Sequence, residues 1–150
     1  MNTGNLLLHA ALMLVAGMGI PLMATLNARL GTGLGSPALA VLVLLLVALL
    51  VTVLILTLWG WPAVSNPELP PLYYLAGVLF VLYILSITWV IPRFGVGNAV
   101  FFVLLGQLIC AAVIDHFGGF GAPKAPVTAA RLVGLLLMGL GVFLALRRGH

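Results

Sequence analysis

Few side chains in this sequence can do chemistry, and their placing is informative. Only two are acidic. Glu68 falls in a proline-bounded loop and reads as a solvated charge, whereas Asp115 is joined directly to an apolar run, in Ile114-Asp115-His116-Phe117-Gly118. A carboxylate at membrane depth is costly and commonly functional. Gln107, Ala111 and Asp115 recur every four residues, so on a helix they form one slowly drifting stripe. Gln107 then lies about two turns further into the run. An amide in hydrocarbon needs a hydrogen-bond partner on another helix or in water, so Gln107 serves either as glue between helices or as a substrate contact. Asp115 either pairs with His116, with Arg93 or with a basic residue of another subunit, or takes part in proton or cation coupling. Asn27 and Arg29 follow the first apolar run, and Tyr83 sits midway along the third, where its hydroxyl needs a partner. Asn27, Arg29, Tyr83, Gln107 and Asp115 are therefore the candidates for a substrate pathway, with Arg29 as an anion contact.

Other chemistries find no support. His9, His116, His150, Asp115 and Glu68 cannot be assembled into a nucleophile–base pair, a metal-ligand cluster or a phosphate loop, so neither an enzyme nor a bound cofactor or metal is expected. Cys110 is the single cysteine, which rules out an intrachain disulfide and predicts a buried, inert thiol. The formal charge of +4 does not signal nucleic-acid binding, because six basic residues scattered over loops make no patch. They read as topology signals at a membrane surface.

The elements that must hold these residues are apolar helices. Hydrophobic residues make up 64% of the chain and charged ones 5%, and the mean hydropathy is +1.34. An ordinary soluble domain has about a quarter of its residues charged; this chain could not cover a water-facing surface, so its partner is the lipid bilayer. Spanning helices need about 17–25 apolar residues, and five such stretches are expected, over residues 6–26, 38–58, 72–91, 96–114 and 130–146. The fold class is all-α, an integral membrane protein with one transmembrane domain. Trp59, Trp61, Tyr73 and Tyr74 suit an interfacial aromatic belt. Pro92, Arg93 and Gly95 mark a tight reversal that ends the third helix, and with His116 they are candidate helix-end or gate residues. Ala130, Gly134, Gly141 and Ala145 share one face of the last helix. Small residues let helices approach closely, so Gly134, Gly141 and Ala145 are expected at a dimer seam.

Five spans put the termini on opposite sides. Arg29, Arg93, Arg147 and Arg148 then share one side, facing Lys124 and Arg131 on the other. The rule that basic loops stay inside favours a cytoplasmic C-terminus, with a bias small enough for dual topology.

Several stretches together resemble a known family: Gly19-Ile20-Pro21-Leu22, Leu26-Asn27-Ala28-Arg29-Leu30-Gly31, Gly35-Ser36-Pro37, Pro92-Arg93-Phe94-Gly95, Gly106-Gln107-Leu108-Ile109, the Asp-His-Phe-Gly turn and the Gly134–Val142 run. The chain resembles, over nearly its whole length, the YdcZ-type putative inner-membrane exporter family of bacteria, within the drug/metabolite transporter superfamily. The resemblance implies five transmembrane helices, short members acting as homodimers or pairs with a related chain, often antiparallel, and export of a small-molecule substrate. It is similar in plan to the small multidrug exporters, but their membrane-embedded glutamate in the first helix has no counterpart here, so their proton-coupling residue does not transfer. The expected function is a secondary transporter subunit working by alternating access; the rival is a non-transporting assembly subunit whose polar residues only bond helices together. A channel is disfavoured, because no ring of charges or filter motif appears.

Overall fold

A computed structural model describes residues 3–63 and 69–147; Glu68, Arg148 and His150 lie outside these, as do the side chains of Ala145 and Arg147. Among the described residues the fold is all-helical, with α1 (Thr3–Gly33), α2 (Pro37–Trp59), a 3₁₀ turn (Pro71–Tyr74), α3 (Leu75–Phe94), α4 (Val96–Phe117), a second 3₁₀ turn (Gly119–Gly121) and α5 (Ala129–Arg147). Four helical stretches are long and apolar enough to cross a membrane: Leu6–Gly33, Pro37–Trp59, Pro71–Phe94 and Val96–Phe117. The apolar part of α5, Ala129–Gly141, is shorter. Most large apolar side chains are exposed, from Leu6 to Leu144, which in a bilayer makes them the lipid-facing coat.

Two helix ends differ from expectation. Helix α1 runs on through Asn27, Arg29 and Thr32 to Gly33, because a polar residue such as Asn27 can be satisfied on another helix without breaking its own. Helix α3 continues through Pro92 to Phe94. A proline in the last turn removes one backbone donor and leaves the turns before it intact. The break between the helices falls instead at Gly95, whose φ of 84° suits glycine.

Packing divides the chain into two compact units, Met1–Phe94 and Gly95–His150. In the first, α1, α2 and α3 pack against one another. The buried residues of α1 are Ala24, Asn27, Ala28 and Gly31, and those of α3 are Ile84, Ile87, Thr88 and Ile91. Both sets follow the i, i+3, i+4, i+7 spacing of one helix face. Small residues on α1 thus meet branched ones on α3. A Cβ on Gly31 would stand 3.2 Å from the Thr88 methyl, 3.4 Å from the Pro37 Cα and 3.5 Å from the Ala40 Cβ. The first of these is tighter than an ordinary carbon contact, so glycine here eases the approach of all three helices.

The α1–α2 joint is built by Ser36. Its N–H donates to the Gly31 carbonyl at 3.0 Å while that of Gly35 donates to Thr32 at 3.2 Å, the paired bonds of a Schellman motif with Gly35 at φ 67°. The Ser36 hydroxyl accepts from the Leu39 N–H at 3.4 Å and Pro37 opens the helix, as an N-cap should.

The second unit is an α4–α5 pair. Helix α4 ends on Gly118 in the left-handed conformation. A Cβ there would meet the Ala122 carbonyl at 3.3 Å. Thr128 starts α5, its hydroxyl accepting from the Arg131 N–H at 3.2 Å. Cys110, expected to be buried, is exposed; the buried position of α4 near it is Ala112, about 200° further round the helix.

Candidate functional site

The polar centre of the first unit is one contact. Asn27 Nδ2 donates to Thr88 Oγ1 at 2.7 Å, joining α1 to α3 across 61 residues of sequence. Asn27 is 5% exposed and Thr88 1%. Each sits within its helix's buried stripe, so the bond is placed by the same periodicity that places the core. Thr88 contributes the acceptor that an amide buried among alanines and isoleucines requires.

Beside this contact opens a cleft of about 360 Å3, lined by Ala28, Gly31, Thr32, Gly35, Pro37, Thr88, Trp89, Pro92 and Arg93. Glycine and alanine on α1 leave the space, and α3 supplies the functional groups. The Arg93 guanidinium donates to the Trp89 carbonyl one turn back and lies over the Trp89 ring, 4.4 Å from its centroid. The Thr32 hydroxyl is committed to the Ala28 carbonyl at 2.7 Å. Arg29 is exposed on α1. Tyr83, midway along α3, has a buried hydroxyl oxygen without a hydrogen-bond partner among the described residues.

The second unit carries the other candidates. Gln107 is exposed on α4. Asp115 pairs with Arg131 of α5, Oδ2 to Nη2 at 2.7 Å, with both side chains about one-third exposed. Its partner is therefore neither His116 nor Arg93 but the cation in the first turn of the next helix. The Asp115 carbonyl also accepts from the Ala125 N–H at 2.8 Å. His116 Nδ1 accepts from the Val127 N–H at 3.1 Å, which requires a lone pair on that nitrogen and so leaves the ring proton on Nε2. The His116 ring also meets Phe117 edge-on, centroids 4.8 Å apart. Together these contacts tie the α4–α5 connection down onto the end of α4. An apolar cleft of about 450 Å3 adjoins them, lined by Ile109, Ala112, Val113, His116, Phe117, Val127, Leu132 and Leu135.

The expected site residues are thus shared between the units. Asn27, Arg29 and Tyr83 belong to the first, with Pro92 and Arg93 on its cleft; Gln107, Asp115 and His116 belong to the second, with Gly134 and Gly141 exposed on α5. Three residues carry more than sequence reasoning gave them. Thr88 and Arg131 complete the two side-chain pairs, and Trp89 forms a cleft wall. Thr88 was findable from its place in the stripe Ile84, Ile87, Thr88, Ile91, and Arg131 as a cation at the start of the helix that follows Asp115. Among the described residues no three His, Cys, Asp or Glu side chains gather as a metal ion would need.

Comparison with known proteins adds one match. The family model described as "Putative inner membrane exporter, YdcZ" matches residues 8–144. No curated protein and no solved structure matches the chain.

Proposed function

This chain belongs to the YdcZ-type putative inner-membrane exporter family, a multi-pass protein of the inner membrane, and on that premise we propose that it is a secondary transporter subunit. In this reading it exports a small molecule by alternating access, as a homodimer or paired with a related chain. Asn27, Arg29, Tyr83, Gln107 and Asp115 line the substrate pathway; Pro92, Arg93, Gly95 and His116 act at helix ends or as gates. Antiparallel pairing would create an inverted repeat, an arrangement that places a substrate site at the repeat interface. Gly134, Gly141 and Ala145 form the seam. The C-terminus is cytoplasmic in the favoured orientation, with dual insertion open to a chain of so small a charge bias.

The observation that supports transport most is the buried Asn27–Thr88 pair at the edge of a cleft with a cationic wall. A helix trio built only to pack in lipid has no need of the cationic cleft. The test is flux of candidate solutes through the purified chain in sealed vesicles, with Asn27→Ala and Gln107→Ala as variants. Absence of solute flux or ligand-dependent stabilisation across a broad panel would overturn it.

A second reading has its own support. Both Asn27 and Asp115 are satisfied inside the chain, which suits polar groups whose only work is bonding helices. An assembly subunit of that kind would lose stability, and no flux, when either pair is removed. Cysteine labelling from each side of the membrane tests orientation; one accessible face for every molecule rules out dual insertion.

A further inference from the structure

Among the described cations Arg93 is distinguished by its surroundings. Two partially negative groups hold it, the Trp89 carbonyl and the Trp89 ring face. Neither is an anion. The ion pair found among the described residues is Asp115–Arg131, in the other unit. Among the described residues no acidic one lines the cleft that Arg93 borders. The hydrogen-bonding groups of the cleft wall lean the same way. The Arg93 guanidinium can only donate, while the Thr88 oxygen is taken up by Asn27. A cleft of about 360 Å3 falls in the range of small-ligand sites, about 300–1,000 Å3. A full positive charge and no carboxylate among the described lining residues are the complement of an anion.

We propose that the cleft between α1, the start of α2 and the end of α3 binds an anionic group of carboxylate or phosphate size, with Arg93 as its counter-charge. The ligand is a free anion or the headgroup phosphate of a lipid. The inference goes beyond the transport reading and stands apart from it. Anion binding without flux removes transport and keeps the site, whereas flux without saturable anion binding removes the site and keeps transport.

The test uses the full chain in uncharged detergent at constant ionic strength. One arm titrates inorganic phosphate and benzoate calorimetrically. The other titrates short-chain phosphatidylglycerol against phosphatidylcholine. Saturable binding is expected in at least one arm, and which arm responds identifies the source. Arg93→Gln is expected to weaken it at least tenfold, the equivalent of about 1.4 kcal/mol, because a charge-assisted bond is lost. Arg93→Lys should retain part of the affinity and Lys124→Gln all of it. If Arg93→Gln does not fold, protection of Arg93 from phenylglyoxal by the same ligands, read from peptide masses, replaces it. No saturable binding in either arm, binding undiminished in Arg93→Gln, or unprotected modification at saturating ligand would each overturn the proposal and leave Arg93 as a helix-end anchor only.

Discussion

The Asn27–Thr88 contact can be measured as a coupling energy. Replacing Thr88 by Val keeps the branched shape that packs against α1 and removes the acceptor, stranding an Asn27 amide that is 5% exposed. An unsatisfied buried donor costs about 1–3 kcal/mol, so Thr88→Val should destabilise the fold by roughly that amount. Asn27→Ala removes the donor and the volume together, while Thr88 can turn its hydroxyl to a carbonyl of its own helix, as Thr25, Thr32 and Thr52 do at 2.7–2.8 Å. The double variant isolates the pair. Interhelical hydrogen bonds in membrane proteins average about 0.6 kcal/mol and reach about 1.7. A 2.7 Å bond between two buried groups belongs in the upper half of that range, so a coupling near 1 kcal/mol is expected. The assay is reversible unfolding of the full chain in bicelles for the wild type, both single variants and the double. A coupling within about 0.3 kcal/mol of zero, the usual additivity of independent sites, would refute the reasoning, because the two side chains would then not depend on each other.

Three further outcomes follow from the geometry. Gly31→Ala should cost about 1–3 kcal/mol by overpacking the three-helix contact, while Gly33→Ala, with nothing within 4 Å of its new methyl, should be neutral or slightly stabilising in the same assay. Asp115→Asn should lower stability by only about 0–1 kcal/mol, since an ion pair about one-third exposed is screened; a loss several times larger would mean that Asp115 has another partner. His116→Phe deletes the acceptor of the Val127 N–H, so hydrogen exchange at Val127 should rise about fivefold, for a bond worth roughly 1 kcal/mol, and unchanged protection would count against that bond.

Hydropathy carried the fold a long way. The apolar runs and their Gly/Pro breaks mark where helices lie, because lipid leaves the backbone few other choices. Their ends were less legible. Asn27 and Arg29 looked like a boundary since both are polar, yet a polar residue inside a helix can face another helix; Pro92 looked like a stop, yet the helix breaks only at Gly95. Partners were the least legible. Periodicity tells which residues share a face but not which faces meet, so Asn27 could be placed on α1 without Thr88 being known as its acceptor. Asp115 could likewise be seen to need a cation without Arg131 being singled out. Trp89 belonged to an apolar run and gave no sign of a cleft until Arg93 was seen to fold back over it.

The joint at Ser36 and the bond at Thr88 belong to different moments in the life of the chain. Every contact of the joint lies within residues 30–40, so the first two helices can close their hairpin as soon as both have been synthesised. The amide of Asn27 must wait for a residue 61 positions later. Until then the young hairpin holds a polar group without its native partner in a setting where exposure costs several kcal/mol. Nascent chains that end before Thr88 should accordingly be poor membrane residents, open to quality-control proteolysis, and chains that extend past it should become resistant.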